Sequence, residues 1–110
     1  VSEPKTVRPR ELKWAATALA DLKIILRWLD EHRGVNRSME FEEELRSAIN
    51  PLVVFPHMGR TPTDFKWGPF DSLGLREILV DHYRVGYSVG ANTVTMLYVI
   101  HTRRQMPPID

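Results

Sequence analysis

The chain has 110 residues, 15 Lys and Arg against 14 Asp and Glu for a net charge of +1, and no cysteine. That length fits one domain spanning 1–110 that buries roughly two thirds of its unfolded surface, and without cysteine there are neither disulfides nor thiolate metal sites. The near-neutral balance argues against wrapping duplex nucleic acid by charge alone, and no apolar run approaches the roughly 20 residues that span a bilayer, so a soluble, cytoplasmic protein with no membrane contact is expected.

Residues 1–10 hold two prolines and three basic residues with little apolar content, which reads as a mobile lead-in. From Glu11 to Ala16 Leu12 and Trp14 alternate with Glu11 and Lys13, the pattern of a short strand whose place in a sheet the sequence leaves open. Thr17 is a candidate cap for a helix carrying Leu19, Leu22, Leu26 and Leu29 on one stripe and stopping at Gly34. Asn36 is a candidate cap for a second helix with Phe41, Leu45, Ala48, Leu52 and Phe55 inward, and Pro51 predicts a kink or an end near Asn50. Helices so closely joined pack as antiparallel neighbours.

Residues 56–73 are rich in proline and glycine and carry Phe65, Trp67 and Phe70, which reads as a long loop that either folds back on the body or holds a partner. The stretch from Gly74 to Gln105 reads as a three-stranded antiparallel meander with turns at Asp81-His82 and Gly90-Ala91-Asn92. A two-residue first turn sets Val80 opposite Tyr83, Ile78 opposite Val85 and Arg76 opposite Tyr87. A second turn pivoting on Ala91-Asn92 sets Val89 opposite Val94, Tyr87 opposite Met96, Val85 opposite Tyr98 and Tyr83 opposite Ile100. Strict alternation then turns Tyr98 and Ile100 toward the helices and gathers Glu77, Arg84, Val99, His101 and Arg103 on the other face. The expected fold class is α+β: a strand, an antiparallel helix hairpin, then the meander, with the helices on one face of the sheet.

Arg84 has two readings, a structural ion pair with its diagonal neighbour Glu77 or a planar cation presented to a phosphate or carboxylate. His101 has the chemistry of a general acid or base, and equally of a hydrogen-bonded surface residue. Arg103, Arg104 and Arg60 read either as solvated charges or as contacts. His32, His57 and His82 lack ligand spacing, and no nucleophile motif, phosphate loop or paired-carboxylate spacing is present, so neither a metal nor a cofactor is expected.

Several segments, taken in order, resemble the RelE/ParE toxin superfamily of bacterial type II toxin-antitoxin modules. They are Trp14 with the ALADLKII run from Ala18, FPHMGR, GLREILV, YRVGYSV and LYVIHTRRQMPP, together covering about residues 12 to 108. The resemblance implies a toxin held in a hetero-oligomer by a cognate antitoxin, whose N-terminal part binds operator DNA and whose C-terminal segment wraps the toxin. It implies one of two activities: ParE-like inhibition of DNA gyrase, or RelE-like cleavage of mRNA on the ribosome. Arg84 matches the family's arginine after tyrosine in the third strand, and Arg103 falls near a second basic position. The strand before Tyr83 carries only Arg76, between Leu75 and Glu77, and no tyrosine follows Arg103, which favours the ParE-like reading. On that reading Arg76, Arg84, His101, Arg103 and Arg104 are expected to contact the target, and Trp28, Arg60, Trp67 and Phe70 the antitoxin. On the nuclease alternative Arg84, His101 and Arg103 would be catalytic.

Overall fold

A computed structural model of the chain describes residues 8–62 and 74–103. In chain order the elements are β1 (Glu11–Trp14), α1 (Ala16–Arg33), α2 (Val35–Ile49), β2 (Arg76–Val80), β3 (Tyr83–Val89) and β4 (Thr93–His101). This is the expected α+β order. Residues 1–7 of the lead-in and the aromatic part of the long loop lie outside the described residues, whereas Arg10, expected to be part of the mobile lead-in, is fastened to the body, its N–H donating to the Val53 carbonyl at 2.8 Å and its Nε to the Gly90 carbonyl at 3.0 Å.

Both helices form on their apolar stripes, but their ends differ from the sequence expectation. Thr17 does not cap α1: Ala15 holds the cap position without a side-chain bond, and the Thr17 hydroxyl donates instead to the Leu97 carbonyl at 2.6 Å. Nor does Asn36 cap α2, because Gly34 alone joins the helices, at φ 94° and ψ 158°, a backbone state that favours glycine. Helix α2 ends at Ile49, and Pro51 sits inside the 3-10 turn Asn50–Val53 that follows, as its missing N–H requires. Phe41, Leu45, Ile49 and Leu52 are buried together with Ala18 and Leu29 of α1, whereas Leu19 and Phe55, both expected inside, are exposed.

The sheet order is β1-β4-β3-β2, with β1 parallel to β4 and the meander antiparallel. Leu12 lies opposite Val94 and Trp14 opposite Met96, so the alternation read in β1 meets the core. The β2–β3 register is the expected one, and Asp81 takes a positive φ in the tight turn. In β3–β4 Val89 meets Val94 and Tyr87 meets Met96 as expected. Beyond that point the register shifts between Gly86 and Tyr87, pairing Gly86 with Tyr98, Val85 with Val99, Arg84 with Ile100 and Tyr83 with His101. Leu97 is the extra residue, a β-bulge that resets the alternation.

The face assignment made from strict alternation is therefore corrected for the end of β4. Val99 joins the core beside Val85, and His101 shares the helix side with Tyr83. Tyr98 and Ile100 go to the face of Glu77 and Arg84. The residues after α2 are also more regular than a loop: Pro56–Met58 form a 3-10 turn, and Arg60 bridges Glu77 on the outer edge of β2 through bonds of 2.9 and 2.8 Å.

Candidate functional site

On the face away from the helices, Glu77, Gly86 and Tyr98 lie in one row across β2, β3 and β4. The Tyr98 ring crosses Gly86 so closely that a Cβ there would overlap it, which explains the glycine. Its hydroxyl thereby reaches Glu77 Oε2 at 2.7 Å, while Oε1 receives Arg84 Nε at 2.8 Å and Arg60 Nη2 at 2.9 Å. Glu77 is 1% exposed and Arg84 6%. A carboxylate so buried is tolerated only where donors of this kind satisfy both of its oxygens. Of the two readings of Arg84, the structure contains the ion pair.

The other expected target residues are placed apart. Arg76 Nη1 donates to the carbonyls of Gly59 at 2.7 Å and His57 at 3.2 Å, fastening the 3-10 turn to the sheet. His101 accepts the Arg103 N–H on Nδ1 at 3.1 Å and stands edge-on to Tyr83 at 5.3 Å, on the side of the sheet opposite Arg84. The expected convergence of Arg84 and His101 on one face is thus corrected, the Leu97 bulge being the reason. Arg104, Trp67 and Phe70 lie outside the described residues. Arg60 reaches outward but is tied to Glu77.

A cleft of about 700 Å³ opens between the C-terminal half of α1, the end of β4 and the β2–β3 turn. Ile24, Ile25, Trp28 and Leu29 supply its apolar side, with Ile24 68% and Trp28 44% exposed. The Trp28 ring stacks on His32 at 4.7 Å and carries the Arg33 guanidinium 5.6 Å from its centre, a cation–π contact. The opposite rim holds His82 and His101, their rings 6.2 Å apart, and Asp81, which is ion-paired with Arg37. Arg37 also faces Glu44 at 3.4 Å and Glu40 at 3.6 Å. Burial pushes the Tyr83 phenol above its ordinary value, Asp81 adding to the rise and Arg37 opposing it.

Of the expected antitoxin contacts, Trp28 lies in this cleft. Ile24, Asp81 and the ring of Tyr83 were not singled out for a site by sequence reasoning. The available signal was the spacing of Asp21, Ile24, Trp28 and His32, a second stripe beside the leucines of α1. Among the described residues no group of three His, Asp or Glu is arranged to hold a metal ion, and no helix is long and apolar enough to cross a membrane.

The family model for the ParE toxin of type II toxin-antitoxin systems, parDE, matches residues 12–106. No curated protein gave a significant match. A solved structure described as the chromosomal ParDE TA system from P. aeruginosa is similar in fold, with a TM-score of 0.67 at 18% identity, over 84% of this chain and 95% of that one. With a family match that runs from β1 past the end of β4, the chain belongs to the ParE toxin family of type II toxin-antitoxin systems.

Proposed function

We propose that the protein inhibits DNA gyrase by binding it, with no bond chemistry of its own, and that a cognate antitoxin neutralises it by laying an apolar segment into the α1–β4 cleft. The observation that carries the first part is the separation of the nuclease candidates. An RNase of this superfamily needs a base for the 2'-hydroxyl proton and cations at the developing charge within reach of one phosphate. Here Arg84 is enclosed with Glu77 on one side of the sheet and His101 stands on the other. The second part rests on the exposed Ile24 and Trp28 side chains lining a concave surface, as in helix-in-groove recognition. Membership of a toxin-antitoxin family, and a fold shared with a toxin-antitoxin system from P. aeruginosa, support an antitoxin partner.

The test runs a gyrase supercoiling assay with purified full chain beside a ribosome-dependent mRNA cleavage assay. Inhibited supercoiling or trapped cleaved DNA, with intact message, is expected. Cut messages that disappear in His101→Ala or Arg84→Ala would replace this reading with the nuclease one. Absence of growth arrest on expression without antitoxin would refute both toxic activities.

A further inference from the structure

We infer that Thr17 and Asp21 are positioning residues for the α1–β4 cleft: they hold the β4 bulge that turns Val99 and His101 toward α1, and they close the strand edge there, so that a partner is received on side chains rather than as an added strand. The consequence for the partner rests on the docking reading above. Strand β1 ends at Trp14, whose register partner is Met96. Among the described residues no strand neighbours the outer edge of β4 past Met96, and its backbone groups there require other partners.

Helix α1 supplies them. The Thr17 hydroxyl donates to the Leu97 carbonyl at 2.6 Å, and Asp21 Oδ2 accepts the Val99 N–H at 3.0 Å. Four residues apart, the two side chains share one face of the helix and address consecutive outward groups of the strand. Leu97 is the bulged residue itself, so this clasp sits where the alternation is reset. Without the reset, regular pleating would send Tyr98 and Ile100 toward the helices and Val99 and His101 to the Glu77 side, removing one wall of the cleft. With the Leu97 carbonyl and the Val99 N–H already bonded to α1, an extended peptide adding to this edge would have to displace those two bonds.

The experiment follows amide hydrogen exchange in the ¹⁵N-labelled full chain and measures the affinity of the antitoxin that co-purifies when the chain is expressed with its neighbouring reading frame. Losing the bond from the Val99 N–H should speed exchange at Val99 in Asp21→Ala roughly tenfold or more, leave Val85 unchanged and weaken antitoxin binding by about the same factor. Asp21→Asn, which keeps an acceptor oxygen, should stay near wild type in both readouts. Thr17→Val, similar in shape, supplies the same pair of readouts should Asp21→Ala fail to fold. Unchanged exchange at Val99 overturns the clasp. Faster exchange with unaltered affinity overturns its role in positioning. Undiminished affinity in Ile24→Glu would instead overturn docking in the cleft, and the exchange results do not depend on it.

Discussion

Glu77 accepts from Arg84, Arg60 and Tyr98 inside a sheet face where a lone carboxylate would be strongly unfavourable. Glu77→Ala is therefore expected to destabilise the fold by about 3–5 kcal/mol, because it leaves buried donors behind, and urea unfolding at neutral pH checks this. Tyr87 poses a similar question in the core. Its hydroxyl accepts the Gly59 N–H at 2.8 Å and donates to the Pro56 carbonyl at 2.7 Å. Burial raises its phenol above the ordinary value, while the Gly59 bond and Arg76 oppose the rise. A raised folded-state value means that the native state holds the proton more tightly than the unfolded chain, so this contribution is intact below about pH 10 and declines as pH climbs through the folded value. Tyr87→Phe should cost about 1–3 kcal/mol at neutral pH and flatten the alkaline limb of a stability-against-pH curve.

Gly34 decides how the two helices meet. Its φ of 94° and ψ of 158° are accessible to glycine, and an added Cβ would meet no atom within 4 Å. Gly34→Ala should thus lower stability by about 1–3 kcal/mol through backbone strain and not through collision, with the loss read from thermal unfolding. The stripes of α1 and α2, the stop before Pro51 and the β2–β3 register were legible because each depends on local periodicity or turn chemistry. The caps were not. Thr17 suited an N-cap by residue type, but a neighbouring strand edge with an unpaired carbonyl recruited its hydroxyl instead. The bulge at Leu97 was equally hidden, since nothing in an alternating run announces which residue will be skipped. Gly86 was the one hint, a glycine in mid-strand that matches the ring of Tyr98 lying across it.

At the scale of the whole molecule, the helices cover one face of the sheet and the Glu77 network occupies part of the other, leaving the α1–β4 cleft as a concave surface with exposed apolar side chains. An aromatic anchor in such a cleft is commonly a dominant contact, so Trp28→Ala should weaken antitoxin binding by about 2 kcal/mol or more, roughly thirtyfold, while the melting temperature changes little; calorimetric titration beside thermal unfolding checks both. The sequence alone determined the order of elements, the pairing of β2 with β3, the candidate partner Glu77 for Arg84 and the family resemblance that the comparison supports, because all of these reside in residue type and near-neighbour spacing. Tertiary structure alone decided that β1 runs parallel to β4, that the bulge parts His101 from Arg84, and that Arg60 and Tyr98 converge on Glu77. Those outcomes depend on which backbone groups remain unbonded once strands and helices are assembled, a quantity that no stretch of sequence carries by itself.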